Sequence, residues 1–282
     1  MRRAMKITPL FREYAADLHA IYSKQESENL VFWMLEHYLG LKRRDVHQDK
    51  EIDEIPQALE EAMGRLKAGI PIQYIMQSAP FYGRDFKVNP SVLIPRNETE
   101  ELVHLIIQEN KDAGLHILDV GTGSGCIPIT LALEMERPIV LAVDISRDAL
   151  DLAQLNASIH HTAIDFFQLD ALEEEFPIKN LDIIVSNPPY VRELEKQKMH
   201  QNVLDHEPHL ALFVTDQDPL VFYRKIAQKG KNCLKHKGRL YFEINEALGS
   251  PILEMLFALG YTELRLLKDL NDKDRIITAV NP

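Results

Sequence analysis

The run Leu181-Asp182-Ile183-Ile184-Val185-Ser186 leads into Asn187-Pro188-Pro189-Tyr190, so an apolar strand ends in a polar segment stiffened by two prolines. Each proline lacks a backbone N–H, holds φ at about −65° and restricts its predecessor to extended conformations, which keeps Asn187 and Pro188 out of any following helix. Their carbonyl oxygens are left free to accept hydrogen bonds. The Asn187 side chain adds another acceptor oxygen, and Tyr190 adds an apolar ring face tipped by a hydroxyl. A planar NH2 group could donate one hydrogen to Asn187 and the other to the Pro188 carbonyl, with Pro189 and Tyr190 beside it and its nitrogen lone pair directed out of plane. That geometry suits methyl transfer onto an amide or amino nitrogen. The same residues also read as a strand leading into a proline-rich surface turn, so the context decides.

The context is a second motif, His116-Ile117-Leu118-Asp119-Val120-Gly121-Thr122-Gly123-Ser124-Gly125, followed by a helix-like stretch from Ile127 to Leu133. A strand, a glycine-rich turn and a helix let a cofactor approach the backbone at the carboxyl edge of a parallel sheet. Such a turn serves a dinucleotide, whose pyrophosphate sits on the helix N-terminus, or S-adenosylmethionine, which has no phosphate. Cys126 stands where the strict dinucleotide fingerprint has its final glycine or alanine. The next strand, Pro138 to Val143, ends at Asp144, where an acid can accept from both ribose hydroxyls of a nucleoside. Asp144 alone also reads as the cap of a helix beginning near Ser146. The two motifs, about twenty residues apart, carry more weight together than either does alone.

In order, "VLIPRNETEELV", "LDVGTGSG", "AVDIS" and "VSNPPYV" closely resemble the HemK family of protein-glutamine N5-methyltransferases, which modify peptide chain release factors. The resemblance extends to "QYI" and "FYGRDFKV" upstream and "DHEPHLAL" downstream. It implies a class I methyltransferase fold, that is, an α/β Rossmann-like doubly wound sheet with an antiparallel edge strand, preceded by a helical bundle and a β-hairpin. It implies S-adenosylmethionine as methyl donor and the glutamine of a Gly-Gly-Gln segment in class I release factors as acceptor. Asn187, Pro188 and Tyr190 are then the catalytic residues, and with Pro189 they line the substrate. Gly121, Thr122, Gly123, Ser124, Gly125, Asp144 and Asn187 hold the cofactor, with Asp170 and Ala171 beside the adenine. Asp170 reads equally as a helix cap. Asp119 reads either as a partner for the amino-acid end of the cofactor or as a brace for the glycine loop. Two positions depart from the family pattern: Asn97 stands where members usually carry proline, and Gln77 lies near a usual glycine.

A glutamine amide is a poor nucleophile, because its nitrogen lone pair is delocalised into the carbonyl. Positioning and acceptors on both N–H groups must therefore lower the barrier, and neither a metal nor a covalent enzyme intermediate is needed.

The elements that must position these residues follow from periodicity. Leu10, Tyr14, Leu18 and Ile21 form one helical stripe, and Leu30, Val31, Met34, Leu35 and Tyr38 form another that ends at Gly40. A third helix opens at Pro56 and runs through Leu59, Met63 and Leu66 to Gly69. Trp33 reads as a core or interface aromatic. Extended segments Phe81 to Val88 and Val92 to Ile94 predict a hairpin around Asn89-Pro90-Ser91. From Arg96 onward strand and helix patterns alternate, with later strands at Arg239 to Ile244, Glu263 to Leu267 and Arg275 to Val280. The expected organisation is a helical substrate-recognition domain over residues 1–78, a connector over 79–95 and a methyltransferase domain over 96–282.

The chain has 282 residues, 45% of them hydrophobic, ordinary for a globular protein of two domains. No apolar stretch nears the ~20 residues that span a bilayer, and the amino terminus lacks the order of a secretory signal, which points to a cytoplasmic protein. Two cysteines, Cys126 and Cys233, without ligand spacing argue against a disulfide or zinc. His160-His161 read as a helix end favouring positive charge. The net charge of −11 lacks the footprint of nucleic-acid binding, and Lys42-Arg43-Arg44 and Lys229-Gly230-Lys231 read as solvated faces or helix ends. A monomer acting on a protein substrate is the leading expectation. Two other enzyme readings share the planar-NH2 chemistry, a glutamine methyltransferase of a ribosomal protein and an adenine-N6 nucleic-acid methyltransferase, which would have to extrude its base. A non-catalytic module retaining the fold is the third class.

Overall fold

The computed structural model describes residues 5–176 and 178–282, so the first four residues of the expected 1–78 domain and Pro177 lie outside the description. The chain divides into two compact units, Met1–Gln77 with His200–His206, and Ser78–Met199 with Glu207–Pro282.

In the first unit a short strand β1 (Met5–Lys6) is followed by α1 (Ile7–Leu18), α2 (Lys24–Leu39) and α3 (Arg43–His47). Strand β2 (Glu51–Ile52) pairs antiparallel with β1, and α4 (Gln57–Lys67) and α5 (Ile72–Met76) complete the bundle. The Ser23 hydroxyl accepts from Glu26 N to start α2, and Gly40 ends it in the left-handed region at φ 64°. Leu10, Tyr14, Leu18, Val31, Met34, Leu35, Leu59, Met63 and Leu66 share one core, as the helical period requires. Ile21 lies beyond the end of α1 and is exposed, and Trp33 is 41% exposed on α2, so neither is a core residue.

Gln77 ends α5 at φ 52°, ψ 35°, a left-handed conformation that costs a residue with a Cβ about 1–2 kcal/mol. Its side chain is exposed. Gln77→Gly is therefore expected to raise stability by about 0.5–1 kcal/mol, after allowance for the extra freedom of glycine in the unfolded chain, as read from urea unfolding. The Asn97 departure is milder. Asn97 opens its helix after an extended Arg96 (φ −106°, ψ 149°), a place where proline fits but is not required.

The second unit opens with β3 (Ala79–Phe81) and β4 (Arg84–Phe86), an antiparallel hairpin turned by Tyr82 and Gly83 at φ 49° and 74°. Two successive positive φ values are those of the tight turn that matches strand twist. The hairpin thus closes earlier than expected. Asn89 does make a turn, with Ser91 N donating to its side chain at 2.9 Å, but no strand follows. The Ile94 N–H is instead taken by a Glu207 carboxylate oxygen at 3.2 Å.

Next come α6 (Asn97–Glu109), β5 (His116–Val120), α7 (Cys126–Glu134), β6 (Ile139–Asp144), α8 (Arg147–Ile159), β7 (Asp165–Gln168) and β8 (Leu181–Ser186). A short strand β9 (Val191–Arg192) precedes α9 (Gln201–His206), which belongs to the first unit, then α10 (His209–Leu212) and β10 (Phe213–Val214), which pairs with β9. Helix α11 (Val221–Cys233), β11 (Leu234–Glu243), α12 (Gly249–Ala258), β12 (Thr262–Lys268) and β13 (Asp274–Val280) finish the chain. Seven strands form one sheet in the order β12-β13-β11-β8-β5-β6-β7, in which β13 alone runs antiparallel to its neighbours. Strand alternation splits the core. Leu118, Val120, Ile184 and Phe242 pack with Ile226 of α11 and Ile252 of α12, whereas Ile117, Ile183, Val185 and Tyr241 pack with Leu102 of α6 and Ile129 of α7. The order reverses at β5, whose neighbours are β6 and β8, and such a switch point opens a crevice at the carboxyl ends of the strands.

Candidate active site

Strand register aligns the candidate residues. Val120 is paired with Val143 on one side and Ser186 on the other, while Ser186 is paired with Phe242. The residues that follow, Asp144, Gly121, Asn187 and Glu243, therefore leave the sheet in one row, spaced by neighbouring strands about 4.8 Å apart. Ser186 strengthens the alignment by donating its hydroxyl to Val120 O at 2.7 Å.

The glycine turn is held by the main chain: Gly121 N and Thr122 N both donate to Val143 O, at 2.9 and 3.1 Å. Asp144 does more than follow β6. One of its carboxylate oxygens accepts from Gly123 N at 2.8 Å and the other from Ser146 N at 2.9 Å. Ser146, not Asp144, caps α8, by accepting from Ala149 N. Burial raises the Asp144 pKa, and these backbone bonds oppose the rise. Two N–H donors use only part of the capacity of a carboxylate, so ribose hydroxyls can still be received. A Cβ at Gly121 or Gly123 would meet open space, whereas one at Gly125 would lie 3.1 Å from Ala153 Cβ and Ile129 Cδ1. The first two glycines leave the backbone approachable, and the third seats α7 against its neighbours.

Asp119 is buried on the sheet face that carries α6 and α7, and neither of its carboxylate oxygens has a hydrogen-bond partner among the described residues. The Gly123 backbone is braced by Asp144. Burial pushes the Asp119 carboxyl up to about 7, opposed by the neighbouring Thr122 hydroxyl and reinforced by the nearby Asp144 charge. Thr122 Oγ1 and Ser124 Oγ, also buried, are likewise unpartnered. Three orphaned polar side chains around an open glycine turn fit the ammonium and carboxylate of an amino-acid moiety, as S-adenosylmethionine carries. Asp170 lies two residues past the end of β7, with Leu172 N donating to its carboxylate at 2.8 Å, while Ala171 O accepts from Lys229 Nζ at 2.7 Å. Lys229 is buried, unlike the solvated residue its sequence suggested, and serves to hold this turn.

At the end of β8, Asn187 Nδ2 donates to Thr99 Oγ1 at 3.2 Å, and Thr99 in turn donates to Glu243 Oε2 at 2.6 Å. Tyr190 directs its hydroxyl to the other Glu243 oxygen at 3.1 Å, and its carbonyl accepts from Asn245 Nδ2 at 3.2 Å. Asn187 Oδ1 thus stands without a partner among the described residues, on an amide whose other end is anchored. Burial, reinforced by the Glu243 charge, raises the Tyr190 pKa, so its hydroxyl acts as a donor and not as a base.

Four positioning residues carry roles that the sequence did not assign them, although Thr99 and Glu207 lie inside the family-like segments quoted above. Thr99 and Glu243 are described above. Asn156, fully buried, accepts from Lys87 N and donates to Lys87 O and Ser124 O at 2.8–2.9 Å. Glu207 accepts from Ile94 N and from Arg96 at 2.7 Å, which joins the "DHEPH" and "IPR" segments. An apolar strand ending in an acid, Leu240-Tyr241-Phe242-Glu243, was the available signal for Glu243. Among the described residues no group of three or more His, Cys, Asp or Glu is arranged to hold a metal ion, and no helix is long and apolar enough to cross a membrane.

Residues 98–211 match the methyltransferase small domain, and residues 10–76 match the PrmC N-terminal domain. A Flavobacterium psychrophilum protein, release factor glutamine methyltransferase, is 45% identical over 94% of this chain and 95% of its own length. Its namesake from Bacteroides thetaiotaomicron is 45% identical over 97% of this chain and 99% of that protein. Among solved structures, a methyltransferase from Pyrococcus furiosus shares the fold at a TM-score of 0.53 and 15% identity, covering 79% of this chain and 97% of that one. Identity at this level over nearly the whole length, on a sheet that carries the glycine turn and the Asn-Pro-Pro-Tyr segment in one row, means that the chain belongs to the release factor glutamine methyltransferase family.

Proposed function

We propose that this chain methylates the side-chain amide nitrogen (N5) of the glutamine in the Gly-Gly-Gln segment of class I peptide chain release factors. S-adenosylmethionine is the methyl donor and supplies an electrophilic methyl carbon on a sulfonium. One observation carries the reading beyond the relatives' names: the Asn187 amide is anchored through Nδ2, which leaves Oδ1 to accept from an incoming NH2 group, one strand away from the glycine turn. Asn187 Oδ1 and the Pro188 carbonyl accept the two substrate N–H groups, turn the nitrogen lone pair toward the methyl donor and stabilise the positive charge that develops during attack. Pro189 and Tyr190 line the acceptor side. Asp119 holds the ammonium of the cofactor's amino-acid end, Gly121 to Gly125 admit its backbone-side approach, Asp144 receives the ribose hydroxyls, and Asp170 and Ala171 border the adenine. Asn187 also borders the cofactor.

In this reading residues 1–78 recognise the release factor, 79–95 are the connector and 96–282 carry the reaction. The protein acts as a cytoplasmic monomer and binds neither DNA nor membrane; the acidic balance of the chain supports a protein substrate. The test is incubation of the purified protein with methyl-labelled S-adenosylmethionine and a class I release factor, a variant factor lacking the Gly-Gly-Gln glutamine, ribosomal proteins, or duplex DNA. Label on the intact factor and none on the variant is the expected result. Label on ribosomal proteins alone moves the acceptor to another glutamine, and label on DNA alone overturns the protein-substrate reading in favour of adenine.

A further inference from the structure

Resting on that proposed reaction, we infer that Glu243 is a positioning residue that sets which face of the Asn187 amide meets the substrate, acting through the Thr99 hydroxyl. A threonine hydroxyl has one proton. With Glu243 Oε2 2.6 Å away and a carboxylate able only to accept, that proton points at Glu243. The Thr99 lone pairs must then face Asn187, and they can be satisfied at 3.2 Å only by the Nδ2 end of the amide. The amide is locked with its nitrogen inward and Oδ1 outward. Tyr190, donating to the second carboxylate oxygen at 3.1 Å, is oriented by the same acid, so one buried charge sets both side chains of the Asn-Pro-Pro-Tyr segment.

Glu243 lies at the end of β11, one strand beyond Asn187 and two beyond the glycine turn, and is assigned no contact with substrate. It is 1% exposed, and burial raises its carboxyl while the Thr99 and Tyr190 hydroxyls and the Arg275 charge oppose the rise. Without this relay, the amide could rotate by half a turn and present an NH2 to the substrate NH2. Two donors would then face each other.

The relay predicts a particular pattern among variants of the full-length enzyme. Thr99→Val, which removes the hydroxyl and keeps the shape, is expected to lower kcat about 10–100-fold with the Kd for S-adenosylmethionine within about twofold, while Thr99→Ser stays within about threefold of the parent. Glu243→Gln leaves one acceptor where the carboxylate has two, so Thr99 and Tyr190 can no longer both donate to it and the Asn187 amide loses its single orientation, for about a 10–100-fold loss. In the Thr99→Val background, where the relay is already cut, Glu243→Gln should add less than about threefold. A readout independent of activity comes from the Asn187 side-chain amide in 15N-labelled protein, whose hydrogen-bonded proton resonance should move in Thr99→Val and return in Thr99→Ser. Parental kcat in Thr99→Val, losses that multiply in the double variant, or an Asn187 resonance indifferent to Thr99 would each overturn the relay. If the parent enzyme leaves the release factor unlabelled, the proposed reaction fails on its own, and the Asn187 resonance still judges the relay.

Discussion

Asn187→Ala lowers kcat for methyl transfer to a release factor by about 10²–10³-fold and leaves the Kd for S-adenosylmethionine within about threefold. The expected split follows from where the groups lie. In the proposed reading the cofactor is held mainly by the β5 turn, Asp119 and Asp144, and the turn and Asp144 are positioned by bonds that do not involve Asn187, such as Gly123 N to Asp144 and Gly121 N to Val143 O. Asn187 contributes an acceptor whose interaction with the substrate N–H grows as charge develops on nitrogen, so its loss falls on the transition state more than on either ground state. Asn187→Asp tests the same point from the other side. It keeps an acceptor but loses the Nδ2 donor to Thr99 and the fixed orientation that goes with it. Steady-state kinetics with calorimetric cofactor binding separates the terms, and equal losses in kcat and affinity would refute this division of roles.

The second large effect is expected at Asp119. Asp119→Asn should weaken S-adenosylmethionine binding about 100-fold, since in the proposed reading it removes the partner of the cofactor's ammonium, and yet stabilise the ligand-free protein at pH 8 by about 2 kcal/mol. A carboxyl raised to about 7 in the folded chain keeps its proton well above the pH at which the unfolded chain loses it, about 4. Between those values the folded state binds more protons than the unfolded one. The contribution of Asp119 to stability is therefore fully present below about pH 4, declines as pH rises toward about 7 and is gone above it. The asparagine variant lacks that decline, so the stability difference between the two proteins should be constant below about pH 4 and grow in favour of the variant from there to pH 8. An ammonium beside Asp119 favours the ionised form, so cofactor binding at pH 6 should release a proton in the parent and not in the variant. Calorimetry in two buffers of different ionisation enthalpy measures this directly, and equal proton counts would remove Asp119 from the cofactor site.

Much of this site was legible because its coding is local. A strand, three glycines and a helix lie within about twenty residues, and the Asn-Pro-Pro-Tyr segment carries its own backbone restriction in its prolines. Once the sheet is parallel, the alignment of Asp144, Gly121 and Asn187 follows from pairing. The supports were hidden because they are not local: Thr99 and Glu243 stand 144 residues apart in sequence and touch only once α6 packs against the sheet face that β11 joins. Tyr82, a residue type that seldom adopts positive φ, concealed the hairpin turn, while Asn89-Pro90 imitated one. Charge misled in the same way at Lys229, whose ammonium is taken up by the carbonyls of Ala171 and Glu174.

The buried Asn156 amide joins Lys87, in the loop after β4, to Ser124 in the glycine turn. Lys87 is exposed and directly follows β4, between the buried Phe86 and Val88. Releasing its backbone removes two of the three hydrogen bonds of a fully buried amide, at a cost of about 1–3 kcal/mol for each group left unsatisfied. The loop and the glycine turn are thus tied through one buried side chain, so displacing either disturbs hydrogen bonds that hold the other.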